Sequence, residues 1–185
     1  MSYPQSDFSE YSICPANRTE AEPLVRAHYL KRWPGVCVLI LGMWRGPFLV
    51  GVIVFALPPR ETMKRYGVSV AWELARLYVM DSEPFNSETW FMARAIKFVR
   101  ATHPEVEALV SYADPSAGHS GTIYRAANWQ ADGRTDQERK TPRFDYGVGG
   151  KTYSRRSHVP AGAEVVRIPR VSKFRYLYRM KGRAA

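Results

Sequence analysis

The stretch 72–112 most tightly limits what this chain can become. Trp72-Glu73-Leu74-Ala75-Arg76-Leu77-Tyr78-Val79 reads as a strand, with Leu74, Leu77 and Val79 as its apolar members. Residues 88–102 then place Phe91, Ala95 and Phe98, beside Met92, Ile96 and Val99, at the i, i+4, i+7 spacing of a helix with one broad buried face. Residues 106–112 are strand-like again. A strand, a helix and a strand in that order close into a right-handed crossover, with at least one parallel pair of strands. Asn86 or Ser87 is expected to cap the helix, and His103-Pro104 stops it.

The flanks fill in the rest of a sheet. Residues 36–44 and 48–57 are β-rich runs parted by Arg45-Gly46-Pro47, which predicts a hairpin. The unbroken apolar run Gly51-Val-Ile-Val-Phe-Ala-Leu predicts a central strand covered on both faces. Residues 60–71 are polar and read as irregular, and 1–20 as an arm or short edge element. A helix is expected over 20–29, capped by Thr19, and a short one over 122–128. Residues 165–169 and 174–180 predict one or two closing strands. The fold class is therefore α/β, an α+β mixed central sheet flanked by helices, in a single domain over 1–185.

Composition excludes several classes. Hydrophobic residues at 45% and charged residues at 24% rule out a wholly disordered or fibrous chain. No window holds the apolar run of a membrane helix, and residues 1–10 lack the basic start and apolar core of a secretion signal. The two cysteines, Cys14 and Cys37, make neither a disulfide framework nor a metal cluster. A reduced, cytoplasmic protein with no membrane partner is the expectation.

Charge is unevenly spread. Residues 1–133 hold 13 basic and 13 acidic residues, so the net +10 lies entirely in 134–185. A cationic region joined to a neutral body is the footprint of a polyanion partner. Arg134, Arg143, Lys151, Arg155, Arg156, Lys173 and Arg175, interleaved with Tyr146 and Tyr153, are the expected nucleic-acid contacts. A solubilising tail is the other reading. Residues 134–160 are long for a plain connection and read as a functional loop. In 173–178 an extended chain sets Lys173, Arg175 and Leu177 on one face and Phe174, Tyr176 and Tyr178 on the other. Such a strand would bury its aromatics and show its arginines to DNA.

The densest polar cluster begins where the strand over 106–112 ends, which is where open α/β sheets bind ligands. There Asp114 suits accepting a proton or orienting a partner, and His119 suits general acid–base work. Tyr124 suits protonating a leaving group, and Ser111 and Tyr112 suit holding a substrate. In the competing reading Asp114 forms an Asx-turn before Pro115, His119 or Ser120 caps a helix, and Tyr124 packs. A second cluster joins Glu73, Arg76 and Tyr78 to Asn86-Ser87-Glu88 at a helix start. Helix starts attract anions, although Glu88 would repel a phosphate. His28-Tyr29 is a third pair. These histidines and carboxylates lack the spacing of a ligand set, so no metal is expected.

The order of elements resembles the GNAT acyltransferase fold. Glu73-Leu-Ala-Arg-Leu-Tyr-Val, Asn86-Ser-Glu-Thr, the block Ser111-Tyr-Ala-Asp-Pro-Ser-Ala-Gly-His-Ser-Gly-Thr-Ile-Tyr and the closing Phe174-Arg-Tyr-Leu-Tyr are similar to the Mom DNA-modification proteins of Mu-like bacteriophages. That resemblance implies a transferase that places a carbamoylmethyl group on N6 of adenine in phage DNA, in the host cytoplasm, to evade host restriction. It carries over to Ser111, Tyr112, Asp114, His119 and Tyr124, and to His28-Tyr29 as a His-Tyr pair on the first helix. Arg76 and Tyr78 on the strand, with Asn86 and Ser87 at the helix start, are assigned to the donor. Double-stranded DNA is the implied partner. The target base is flipped out, with Trp129, Tyr146 and Tyr153 as stacking candidates and Asp114 or His119 taking its proton.

Two features complicate the donor. Ordinary GNAT enzymes grip the coenzyme A pyrophosphate with a glycine-bearing turn, whereas residues 85–89, Phe-Asn-Ser-Glu-Thr, have no glycine. That counts against acetyl-coenzyme A and leaves a small or carrier-bound acyl donor of unknown identity. Acyl transfer to an amine also yields an amide, whereas carbamoylmethyl is joined through a CH2. Either a rearrangement follows transfer or the donor is not a simple acyl thioester. The alternatives are a coenzyme A-dependent N-acetyltransferase acting on a protein or small amine, and a non-catalytic nucleic-acid-binding module.

Overall fold

The computed structural model describes residues 7–154 and 158–180. Its first strand, β1 (Tyr11–Pro15), pairs antiparallel with β2 (Cys37–Arg45), so the expected arm is an edge strand. Between them α1 (Arg18–Ala27) starts two residues earlier than the sequence suggested. Asn17 caps it in place of Thr19: its Oδ1 accepts from Glu20 N–H, while Glu20 Oε2 accepts from Asn17 N–H, both at 2.9 Å. That reciprocal box satisfies two helix-start donors and outcompetes the single hydroxyl of Thr19.

β2 and β3 (Phe48–Ala56) form the expected hairpin, and Val52 to Ala56 are all buried. Residues 60–71 are not irregular throughout: α2 (Glu61–Tyr66) forms there and ends on Gly67, whose φ of +62° is the left-handed stop that glycine adopts without strain. β4 (Ala71–Val79), α3 (Ser87–Thr102) and β5 (Ala108–Ala113) make the crossover, with β4 and β5 parallel. Asn86 does not cap α3. It is left-handed at φ +68° without a side-chain cap bond, and Ser87 Oγ instead donates to the Pro84 carbonyl at 2.6 Å.

A 3-10 turn (Pro115–Ala117) leads to α4 (Thr122–Ala126) and β6 (Gln130–Arg134). Residues 134–160, expected as a loop, supply two strands of a second sheet, in which β7 (Phe144–Val148) lies between β8 (Lys151–Tyr153) and β9 (Val166–Pro169). β9 is the strand expected over 165–169, but it joins this sheet and does not close the main one. The chain then returns through β10 (Phe174–Arg179), inserted between β5 and β6. The main sheet thus runs β1-β2-β3-β4-β5-β10-β6.

Both faces of this sheet are covered. On one, Phe91, Met92, Ala95 and Val99 of α3 pack on Leu41, Ile53, Phe55 and Leu109. On the other, Ala21 and Val25 of α1 cover Val52 and Val54, and Tyr66 of α2 covers Val110 and Leu177. Each large apolar side chain buried this way contributes about 1.5–3 kcal/mol. None of the described helices is long and apolar enough to cross a membrane.

Candidate active site

The parallel ladder between β4 and β5 has three rungs, of which Glu73 opposite Val110 is the last. β4 then bulges. Leu74 and Arg76 oppose the adjacent residues Phe55 and Val54 of β3, leaving Ala75 extra. Bulges bend a strand, and this one turns β4 away from β5. The exposed backbone is satisfied by a side chain instead. Ser111 Oγ donates to the Leu74 carbonyl at 2.8 Å and shares a second hydrogen bond with the Tyr124 hydroxyl at 2.7 Å. A serine hydroxyl has one proton. With that proton on Leu74, Tyr124 is the donor to Ser111.

A cavity of about 290 Å³ fills the opening. His28, Tyr29, Glu73, Arg76, Ser111, Tyr112, His119 and Tyr124 all face it. The structure therefore brings together three clusters that are far apart in sequence. Burial pushes the Tyr124 hydroxyl up to about 12, so it holds its proton at neutral pH. Burial, with Arg76 nearby, pulls His28 down to about 4. Its Nδ1 accepts from Leu30 N–H at 3.0 Å, which leaves the proton of the neutral ring on Nε2. Tyr29 packs between the two imidazoles, with centroids 4.3 Å from His28 and 4.6 Å from His119. Arg76 donates Nε to the Leu30 and Arg32 carbonyls, each at 3.0 Å, and so fastens the segment after α1 over the cavity.

Asp114 is placed differently from its neighbours. Its Oδ1 accepts from Ser116 N–H at 3.0 Å and Ser116 Oγ at 2.5 Å, and its Oδ2 lies 3.0 Å from Lys173 Nζ. Burial raises this carboxyl, but the bonds from Ser116 and Lys173 outweigh burial and leave it below the ordinary value. Both oxygens are engaged, and Asp114 does not line the cavity. This is the Asx-turn arrangement, and it suits positioning better than proton transfer. The turn that carries His119 is pinned from β10: Tyr176 Oη donates to the Ser120 carbonyl at 2.7 Å. Gly121 sits at φ +76°, and a Cβ there would fall 2.3 Å from the Tyr176 ring. The approach requires glycine.

The residues assigned to the donor are not gathered in one place. Arg76 belongs to the cavity just described, while Tyr78 packs toward α1. Asn86 and Ser87 line a second cavity of about 390 Å³, which shares Thr122 and Ile123 with the first. Its wall carries Asp81, Glu83 and Glu88, and among the described residues no lysine or arginine lines it. Glu83 is already paired with Arg45 at 3.3 Å, while Asp81 and Glu88 remain as carboxylates that would repel a diphosphate.

A third cavity, about 330 Å³, shares Glu73, Tyr112 and Lys173 with the first. Thr62, Arg65, Tyr66, Arg143 and Arg175 complete much of its wall. The expectation that Arg175 faces DNA needs correction. Arg175 is 8% exposed and donates Nε to Asp132 Oδ2 at 2.6 Å, an oxygen that also accepts from Tyr66 Oη at 2.7 Å. Trp129 cannot stack on a base either. It is 4% exposed and packs between Tyr124 and Tyr178. Arg134 lies over the Phe174 ring at 4.6 Å, and Arg143 is 3.5 Å from Asp136. Tyr146, Lys151 and Tyr153 belong to the second sheet, Tyr146 against Phe144. Arg155 and Arg156 lie outside the described residues. Among the described residues, no three His, Cys, Asp or Glu side chains gather in metal-binding geometry.

Two features escaped the sequence reading. Glu73 belongs to the strand cluster with Arg76 and Tyr78 but carries no assigned role, and it lines both the first and third cavities. Burial raises its carboxyl against the pull of Arg76 and Lys173. Tyr66 and Thr62 were missed because α2 was read as irregular. The Tyr66-Gly67 helix stop was the available signal.

Residues 10–185 match the Mom protein family. The chain is 35% identical over 107 residues to the methylcarbamoylase mom of Escherichia phage Mu, a match covering 55% of this chain and 44% of that protein. Among solved structures, it resembles a Bacillus subtilis acetyltransferase in complex with CoA at TM-score 0.56, with 10% identity over 93% of this chain and 99% of that one. Arabidopsis thaliana NAA60 in complex with acetyl-CoA is similar at TM-score 0.59, with 9% identity over 93% of this chain and 99% of that one. At such identities the likeness establishes the fold, which is that of the GNAT acetyltransferases.

Proposed function

The chain belongs to the Mom protein family, and from that membership we propose that it is a transferase that modifies DNA, its acceptor being N6 of adenine and its product a carbamoylmethyl-type adduct. The Mu relative is named a methylcarbamoylase, which supports the transfer of a small amide-bearing group. The observation that carries the reading is a row of three neighbouring cavities, the first sharing wall residues with each of the other two. The outer two have opposite character, one acidic at the start of α3 and one cationic toward the C-terminal region.

In this reading the donor enters from the α3 side and the acceptor from the cationic side, and they meet at Ser111 and Tyr124. A duplex base must be extruded to reach such a site, at a cost of a few kcal/mol. The acceptor nitrogen forms one bond to the donor carbon and gives up one proton, and the leaving group takes one proton. Tyr124 is placed to supply the second. His28 offers Nε2–H to an oxygen that gains negative charge as the bond forms. His119 and Glu73 are the groups on the cavity wall free to take the first. Asp114 acts through Lys173 and the turn. Asp81 and Glu88 on the second cavity argue against a coenzyme A diphosphate there.

Co-expression with a plasmid, digestion to nucleosides and mass spectrometry test this directly. A new adenine adduct supports the reading, and its mass reports the group transferred. Unmodified nucleosides, together with acetyl-coenzyme A turnover on a protein or small amine, would favour the N-acetyltransferase alternative.

A further inference from the structure

We propose that the third cavity is a docking pocket for an extruded nucleobase carrying an exocyclic amine, with the amine received by the Glu73 carboxylate. This rests on the reading that the chain modifies DNA, and it adds where the base is held and what selects it.

Two acids line this cavity, Glu61 and Glu73, and of these only Glu73 also faces the first cavity. Glu73 makes no hydrogen bond or ion pair among the described residues, although four other acids nearby are engaged. Asp132 holds Tyr66 and Arg175, Asp136 lies beside Arg143, Glu138 beside Arg65, and Asp114 beside Lys173. A carboxylate accepts hydrogen bonds and donates none, so its ligand must bring the donor. A cationic ligand is disfavoured. It would sit beside Arg65, Arg143, Lys173 and Arg175, which line the same cavity and keep a net positive wall there because their partner carboxylates do not line it. The charge layout instead fits a ligand that is neutral at Glu73 and anionic near the cations. A nucleotide has that form: a neutral base with N–H donors, joined to phosphate.

The dimensions and position agree. A volume of about 330 Å³ suits a small molecule. Tyr112, half-buried, provides aromatic wall on which a base can stack. Because Glu73 also lines the first cavity, an amine held by it faces the chamber of Ser111 and Tyr124. Adenine and cytosine carry such an amine, whereas hypoxanthine presents an accepting oxygen in its place.

The test is competition binding of the full chain to short duplexes that differ at one mispaired position: adenine, cytosine, hypoxanthine or thymine. A neighbouring 2-aminopurine reports extrusion by its fluorescence. The unaltered protein should prefer adenine over hypoxanthine by about tenfold or more, since the oxygen would leave Glu73 without its donor. Adenosine monophosphate should likewise compete better than inosine monophosphate, a measurement that needs no variant. Glu73→Gln replaces one accepting oxygen with a donor, so the preference should disappear or reverse. Glu73→Ala should remove it without reversal. A tighter hold on cytosine than on adenine would keep the pocket and reassign the base. An undiminished adenine preference in folded Glu73→Gln would overturn the proposal, as would equal binding of all four bases by a protein that still modifies adenine. Absence of both DNA binding and any plasmid adduct would instead sink the DNA-modification reading, and this pocket with it.

Discussion

Lys173 Nζ lies 3.0 Å from Asp114 Oδ2, and this ion pair ties the cationic C-terminal region to the turn that follows β5. Lys173 also lines both the first and third cavities. The contact makes Asp114 a positioning group: it orients the lysine and holds the Pro115–Ala117 turn that leads to His119. Asp114→Ala should cost about 1 kcal/mol through loss of the turn bonds, in the range of a lost helix cap. Lys173→Ala should cost less, because a partly exposed pair contributes little to stability. Urea denaturation of the two single variants and the double variant measures the coupling. A coupling of about 0.5 kcal/mol or more is expected, and strict additivity would show that the pair does not form in solution.

Ser111 and Tyr124 should respond unequally to truncation. Ser111→Ala leaves the Leu74 carbonyl and the Tyr124 hydroxyl without their partner, and each such buried orphan costs about 1–3 kcal/mol. Tyr124→Phe leaves Ser111 bonded to Leu74 and should cost nearer 1 kcal/mol. If Tyr124 protonates the leaving group, Tyr124→Phe should lower adduct yield at least a hundredfold while the protein stays folded. Wild-type yield from that variant would remove Tyr124 from the chemistry.

Local pattern carried most of the fold. The hairpin, the helix over 88–102 and the parallel pair were legible because apolar spacing and turn residues agree there. α2 was not, because Glu61-Thr62-Met63-Lys64-Arg65-Tyr66 is too short and polar to show a periodicity, and its face is set by Val110 and Leu177 from distant strands. Residues 134–160 read as a loop because Gly147, Gly149 and Gly150 break up β7 and β8, which hides the alternation of Phe144, Tyr146 and Val148. At the site, the strand-end block from Ser111 to Tyr124 advertised itself by position. The junction at Glu73 did not, since it arises from a bulge at Ala75 that separates two strands. No local signal encodes the gap between them. Arg175 was misread for the same reason: alternation gave its face, but only the register of β10 against β6 places Asp132 beside it.

His28 gives the cavity a pH signature. Its folded-state value of about 4 lies below the ordinary 6.5, because burial and Arg76 disfavour the cation. Above about 6.5 the ring is neutral in both folded and unfolded chains and contributes no pH dependence. As the pH falls from 6.5 toward 4 the unfolded chain takes up the proton first, so folding stability drops across that window. The urea midpoint should therefore fall more steeply with acid in the wild type than in His28→Gln. Nitrogen NMR shifts of the ring should show Nε2 protonated and Nδ1 bare at pH 7, with a midpoint near 4. A midpoint near 6.5 would mean that the burial around the ring and the approach of Arg76 are absent in solution.

The cationic region divides into residues that hold the fold and residues free to meet a partner, and stability and DNA affinity should separate them. Arg175 is buried and bonded to both the carboxylate and the carbonyl of Asp132. Arg175→Ala should cost about 2 kcal/mol, because a hydrogen bond to a charged group is lost and β10 loosens against β6. Lys151 lies exposed on β8 and should behave in the opposite way. Lys151→Ala should leave the urea midpoint within about 0.5 kcal/mol of wild type. If it contacts a phosphate, it should also lower the slope of log affinity against log salt by roughly 0.9, the value of one released contact. Thermal or urea melts and a salt titration of duplex binding on the same two variants decide the matter. An unchanged salt slope in Lys151→Ala would remove the second sheet's lysine from the DNA surface. A wild-type melt for Arg175→Ala would free that arginine to be the phosphate contact its sequence position suggested.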